Sequence, residues 1–189
     1  KIYEFCKKYI NHGSTLAKKN RSQKFLYNKN SFGTNLRLTE IQSVSGIEQL
    51  KQLKIIQKKR ERMANDYFSI FSKYNKNIYC YNPPKNFKSA WYRFYFFIKS
   101  NKKKYNEIRF KIIKNLRKEG IVCFTGSCPE IYLEKAFKNL KNFKLKRLEN
   151  CKILGKTSLA IDMNHTLTIS QHKKQLVKIN QNLSEIFNV

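Results

Sequence analysis

Apolar residues recur at every third position through Leu38, Ile41, Val44, Ile47, Leu50 and Leu53, a spacing that lays one hydrophobic stripe along a helix. Just ahead, Thr39 and Gln42 have the form of a capping box. The Thr39 hydroxyl can accept from the Gln42 amide, and the Gln42 side chain can reach back to the amide of Thr39. Glu40 falls in the first turn, where a carboxylate suits the positive end of the helix dipole. The pattern predicts a long helix over residues 40–74. Past Leu53 the stripe shifts through Ile56 to Met63, Tyr67, Ile70 and Phe71. The run Lys58-Lys59-Arg60-Glu61-Arg62 reads as a solvated stretch and as a kink or domain joint. Gly46 costs the helix up to ~1 kcal/mol relative to alanine, and a close backbone approach by a neighbouring element is the expected reason for its presence.

The other segments mix helix and strand periods. Residues 2–10 predict a helix with Ile2, Phe5, Cys6 and Tyr9 on one face, ended where Gly13 can take a left-handed C-cap conformation. Residues 14–32 form a polar loop with basic and aromatic residues mixed, of a length that often carries function. Residues 78–81 predict a short strand, stopped by Asn82-Pro83-Pro84. Residues 91–98 predict the strongest strand, aromatic almost throughout. It lacks clean alternation and is expected to be buried on both faces. An amphipathic helix follows over 105–119, with Ile108, Ile112, Ile113 and Leu116 inward and Gly120 closing it. Then come a strand over 121–124, a loop through Thr125-Gly126-Ser127-Cys128-Pro129, a short helix over 132–140 and a basic, weakly structured stretch over 141–147. A strand over 157–163 and a closing helix over 170–187, with Ser170 as N-cap, complete the chain. The implied class is α/β in an α+β arrangement: a long helix plus a small mixed or antiparallel sheet covered by helices.

A chain of 189 residues makes one moderate domain or two small ones, and 41% hydrophobic residues suffice for a real core. No apolar run approaches the ~20 residues that span a bilayer, and the first residues lack the apolar core of a signal peptide. The chain opens without Met inside a predicted helix, so it is expected to be part of a longer one. Forty Lys and Arg against 12 Asp and Glu leave a net charge of +28. Clustered basic residues would point to nucleic acid. Here they are scattered from end to end, with no RNP, KH or helix-turn-helix signature to focus them. The charge therefore reads as general drift toward Lys, Asn, Ile, Tyr and Phe, with no specific nucleic-acid partner. A basic nucleic-acid-binding module stands as the alternative. Such a surface still draws anions from a distance. Five unevenly spaced cysteines without a C-x-x-C, in a chain with no signal, imply reduced thiols, a cytoplasmic setting and no metal site.

Three blocks are more specific than composition. Gly33-Thr34-Asn35-Leu36-Arg37-Leu38-Thr39-Glu40-Ile41-Gln42, followed by Gly46-Ile47-Glu48-Gln49-Leu50, closely resembles the DegT/DnrJ/EryC1/StrS family of aminotransferases. Ser89-Ala90-Trp91-Tyr92-Arg93-Phe94, then Glu119-Gly120-Ile121 and the stretch from Gly126 to Phe137, resembles a later part of the same family. Leu154-Gly155-Lys156-Thr157-Ser158-Leu159, with Thr166-Leu167-Thr168, is similar to a third.

The resemblance implies the C-terminal portion of a type I fold of the pyridoxal-phosphate-dependent transferases. Residues 1–52 would be a remnant of the large cofactor domain with the start of the long helix, and residues 53–189 the small α/β domain. It implies amino transfer from an amino-acid donor to a nucleotide-linked keto-sugar, in a homodimer that shares its cofactor sites. Asn35 would reach the cofactor phosphate of the other subunit, with Arg37 close by as a positive charge. Ser127 and Tyr132 would line the sugar pocket. The family's Schiff-base lysine and the aspartate on the pyridine nitrogen lie upstream of Asn11-His12-Gly13. By itself the chain is thus expected to be inactive, with no catalytic residue, and a non-catalytic dimerisation remnant is the other alternative. Asn164-His165-Thr166-Leu167 stands where the family often has His-Pro-Thr-Leu, which removes a proline-set turn and any inherited role for that histidine.

Overall fold

The computed structural model describes residues 1–13, 31–99, 104–138 and 146–188. They fall into two units, Lys1–Leu53 and Lys54–Val189. The basic stretch 141–147 and the loop 14–32 lie almost wholly outside the described residues.

The first unit opens with α1 (Ile2–Tyr9). His12 and Gly13 then turn the chain at φ of 56° and 71°. The Gly13 N–H donates to the Lys8 carbonyl at 2.8 Å, closing the helix as a left-handed cap does. The chain returns at residues 33–36 to pair with residues 9–12. Thr34 N–H donates to the Tyr9 carbonyl at 2.8 Å, His12 N–H to the Thr34 carbonyl at 3.1 Å and Leu36 N–H to the Ile10 carbonyl at 3.2 Å. A Cβ at Gly33 would run into the backbone of Gly13 and Tyr9, so this close approach requires glycine.

α2 (Glu40–Phe71) starts at the capping box: Thr39 N–H donates to Gln42 Oε1 at 3.0 Å, and Gln42 N–H to Thr39 Oγ1 at 3.3 Å. It stays helical through residues 58–62 and ends in a 3₁₀ turn at Ser72–Tyr74. Its two halves differ. Ile41, Val44, Ile47 and Leu50 are exposed, whereas Met63, Ala64, Tyr67 and Phe71 are buried. The element expected beside Gly46 is not among the described residues, since a Cβ there would meet nothing within 4 Å.

The second unit is built on an antiparallel sheet of β1 (Ile78–Cys80), β2 (Arg93–Ile98), β3 (Cys123–Thr125) and β4 (Ser158–Asp162), in the order β1-β2-β4-β3. Phe94 faces Ile161 and Phe96 faces Leu159 across the β2–β4 register. On this face pack Met63, Tyr67 and Phe71 of α2, Ile112 and Leu116 of α3 (Tyr105–Lys118), and Ile179 and Leu183 of α6 (Ile169–Phe187). Stacked and edge-on aromatic pairs knit it, with Phe71 and Phe96 ring centroids 4.6 Å apart.

Five expectations are corrected here. β2 begins at Arg93, because Trp91 sits at φ 45° and leaves the extended region. Its burial does alternate: Phe94, Phe96 and Ile98 are buried, while Arg93, Tyr95 and Phe97 are half-buried, so only one face is closed. An unforeseen helix α5 (Glu149–Thr157) runs straight into β4, and Gly155 within it is accommodated because the Pro129 ring fills the place a side chain would take. The cap of α6 is Thr168 rather than Ser170. Thr168 and Gln171 form a full capping box, which places Ser170 already inside the helix. The short helix expected over 132–140 is a 3₁₀ turn at Ile131–Leu133 followed by α4 (Lys135–Lys138).

Candidate functional site

Each unit carries one candidate site. In the first, the turn between the paired segment and α2 shapes Asn35. Its Oδ1 accepts from the Arg37 backbone N–H at 3.3 Å, a local turn that consumes the acceptor side of the amide. The Asn35 Nδ2 has no protein partner among the described residues. Arg37 Nη2 donates to Asn11 Oδ1 at 2.7 Å, tying the turn to the end of α1 and leaving the rest of the guanidinium open. Both residues are exposed. The result is a small exposed set of N–H donors with one full positive charge, on a backbone held close at Gly33. That donor set fits the phosphate end of pyridoxal phosphate. Asn35 and Arg37 would hold it there, and no other part of the cofactor is matched by these two residues.

In the second unit, the loop after β3 is held at several points. Gly126 lies against Ser158 so closely that a Cβ would collide with its side chain, and Pro129 packs on Gly155. The Ser127 Oγ lies 2.9 Å from the Tyr95 hydroxyl on β2. This hydrogen bond, with Arg93 beside it and partial burial opposing, holds the Tyr95 phenol below its usual range. Arg147 grips Glu130 twice, Nε to Oε1 at 2.8 Å and Nη2 to Oε2 at 2.9 Å. The grip lowers the Glu130 carboxyl to about 2.

Tyr132 belongs to this clamp. Its hydroxyl donates to Glu130 Oε1 at 2.9 Å and accepts from the Leu148 N–H at 2.9 Å. The phenol proton is therefore committed inside the protein, whereas Ser127 is exposed with a neighbour that sits on the sheet. The structure thus gives the two residues different partners: exposed Ser127 bonds Tyr95 on the sheet, and Tyr132 ties Glu130 to the backbone at Leu148. Sequence reading missed Tyr95, Arg93 and the Glu130–Arg147 pair. The two-residue spacing of Arg93 and Tyr95 within the predicted strand was the available signal for the first two.

No helix among the described residues is long and apolar enough to cross a membrane. All five cysteines are free thiols.

Comparison with known proteins agrees with the blocks. No curated protein sequence matches the chain. Among solved structures, an aminotransferase from Psychrobacter cryohalolentis superposes with a TM-score of 0.85 at 29% identity, covering 99% of this chain and 50% of that one. Helicobacter pylori PseC, an aminotransferase involved in the biosynthesis of pseudoaminic acid, gives 0.78 at 23% identity over 97% and 46% of the two chains. Spr1654 from Streptococcus pneumoniae, in its PLP form, gives 0.77 at 18% identity over 98% and 44%. The latter two likenesses show the fold alone. The chain spans about half the length of these relatives. Neither the family nor the structural matches support a nucleic-acid-binding module or a non-catalytic remnant. The family model for DegT/DnrJ/EryC1/StrS aminotransferases matches residues 1–179, nearly the whole sequence, and the chain belongs to that family.

Proposed function

We propose that this chain is the C-terminal part of a pyridoxal-phosphate-dependent aminotransferase that moves an amino group from an amino acid to a nucleotide-linked keto-sugar, as a homodimer in the cytoplasm. The observation that carries the reading is the Asn35 turn, whose acceptor oxygen is satisfied internally while its amide donors have no partner among the described residues. Pyridoxal phosphate, when bound, supplies the electron sink for amino transfer. Asn35 and Arg37 serve its phosphate, in a site completed by the other subunit. Residues 1–52 belong to the cofactor domain and 53–189 to the small domain, whose Ser127 faces the sugar. Tyr132 positions the Ser127 loop. The chain supplies no Schiff-base lysine, so alone it is inactive.

The test is amino transfer from glutamate to a nucleotide-linked keto-sugar by the whole enzyme, with an Asn35→Ala variant compared for cofactor retention. Loss of one charge-assisted hydrogen bond should weaken cofactor binding about tenfold or more, with near-normal turnover at saturating cofactor. Transfer to free keto acids alone would refute the substrate class, and unchanged cofactor retention would refute the role of Asn35.

A further inference from the structure

We propose that Arg93, Tyr95 and Ser127 form an oxyanion-binding subsite on the half-open face of the sheet, which takes a phosphate or carboxylate group carried by a substrate. The proposal rests on the aminotransferase reading and deepens it by assigning an anionic group to the small-domain side.

The strand period places Arg93 and Tyr95 two residues apart on the same face of β2, both half-buried. Between them and β3 runs Ala160, which faces Tyr95 on one side and Phe124 on the other. Its methyl is fully buried and too small to fill the face. The Arg93 guanidinium settles beside Phe124, 4.4 Å from its ring centroid, and 5.1 Å from that of exposed Tyr92. Two rings therefore restrain the guanidinium before any ligand arrives, which lowers the entropy lost when its planar fork meets an oxyanion.

Among the described residues no carboxylate forms an ion pair with that charge. The cross-strand neighbour of Arg93 is Asp162, yet no ion pair joins them. Asp162 instead lines a cleft of about 250 Å³ with Gly120, Lys174 and Lys178. Arg93 Nε is enclosed and has no hydrogen-bond partner among the described residues. The Tyr95 hydroxyl lies beside the guanidinium, but a partly desolvated cation paired with no carboxylate among the described residues is costly to keep. An anionic ligand supplies the missing charge.

The hydroxyls complete the donor set. Tyr95 and Ser127 together have two protons, and their mutual bond at 2.9 Å uses one. The other is free to donate outward, from a pair that Gly126 holds down on Ser158. A guanidinium fork and a hydroxyl donor on one surface suit a phosphate or carboxylate oxygen. The diffuse charge of +28 attracts anions everywhere, so the site must be recognised by its geometry.

The experiment is calorimetric titration of the 189-residue chain at physiological salt with uridine 5′-diphosphate and, separately, with L-glutamate. Arg93→Lys keeps the charge and loses the fork. Tyr95→Phe keeps the ring and loses the hydroxyl, and Lys114→Gln, on the exposed side of α3, is the control for bulk charge. At least one ligand should bind saturably, with affinity about tenfold lower in Arg93→Lys and about threefold to fivefold lower in Tyr95→Phe. Lys114→Gln should stay within about twofold. A response to the diphosphate identifies a phosphate, and a response to glutamate a carboxylate. The proposal is overturned if neither ligand binds saturably, or if binding is the same in Arg93→Lys as in the parent chain. Arg93-dependent binding alongside failed amino transfer to nucleotide-linked sugars would sink the functional reading and leave the subsite. Normal transfer with Arg93-independent binding would do the reverse.

Discussion

Replacing Tyr67 with phenylalanine should make the chain more stable. Tyr67 is fully buried on α2, its ring 5.1 Å from that of Phe94 and 5.6 Å from that of His172. Its hydroxyl is enclosed without a hydrogen-bond partner among the described residues. Burial first, then Asp162 and Asp66, push its ionisation far above the usual tyrosine range. Phenylalanine keeps every ring contact and removes one oxygen. A buried, unpaired hydroxyl costs about 1–3 kcal/mol, so Tyr67→Phe should gain at least ~1 kcal/mol, or about 2–4 °C in Tm per kcal/mol for a chain of this size. Tyr67→Ala should lose about 3–5 kcal/mol through the cavity it opens. Urea unfolding followed by near-ultraviolet dichroism measures both, with an unchanged denaturant slope as the sign that only stability moved. The alkaline limb gives a second reading. A phenol whose folded pKa is raised leaves stability intact below the usual 10.0 and loses it as pH rises beyond that value. Tyr67→Phe should therefore flatten the decline above pH 10. A variant that unfolds at the same or lower urea concentration would show that the hydroxyl is satisfied and refute the argument.

Thr168→Ala removes the hydroxyl that accepts from the Gln171 N–H in the α6 capping box and should cost about 1 kcal/mol, while Ser170→Ala should stay within ~0.5 kcal/mol; paired urea curves decide which residue caps the helix. The Glu130 carboxyl is depressed to about 2 from a usual 4.5, so the Arg147 clamp is intact above 4.5 and is lost as pH falls toward 2. The protection factor of the Leu148 amide, whose N–H meets Tyr132, should fall over that window in the parent chain, and Glu130→Gln should remove that change. The Cys128 thiol donates to Glu134 Oε1 at 3.3 Å, which raises its pKa although the residue is exposed. Glu134→Gln should speed its alkylation at neutral pH. Cys80 and Cys123, pushed up to about 12 by burial, should stay unreactive until the chain unfolds.

The candidate sites differ in how readable they were. Asn35 and Arg37 interact across two residues and sit beside a capping box whose partners are three apart. Such contacts are properties of a short peptide, so the motif disclosed them. Tyr95 and Ser127 are 32 residues apart, and Glu130 and Arg147 are 17 apart. Their meeting depends on strand register and on how the loop lies over β4. Tyr132 joins both ranges, with one partner two residues away and another sixteen. Its neighbours in space, Glu130 and Leu148, have bound both ends of its hydroxyl.

The sequence by itself determined the family, the start of α2 and the left-handed close of α1. Each rests on residue types acting within a few positions: hydroxyl and amide at three-residue spacing, a glycine at positive φ, and apolar stripes at helical or strand period. Only the tertiary structure decided that one half of the α2 stripe is buried and the other exposed, since both halves read alike until the sheet packs against residues 63–71. It likewise decided that Thr168 caps α6 and that a helix forms over Gly155. Most of all, it set Arg93 between two aromatic rings with no carboxylate of its own. Local propensity acts over a turn or two, whereas burial and charge pairing are settled by residues far apart in the chain, which is why the first was legible and the second was not.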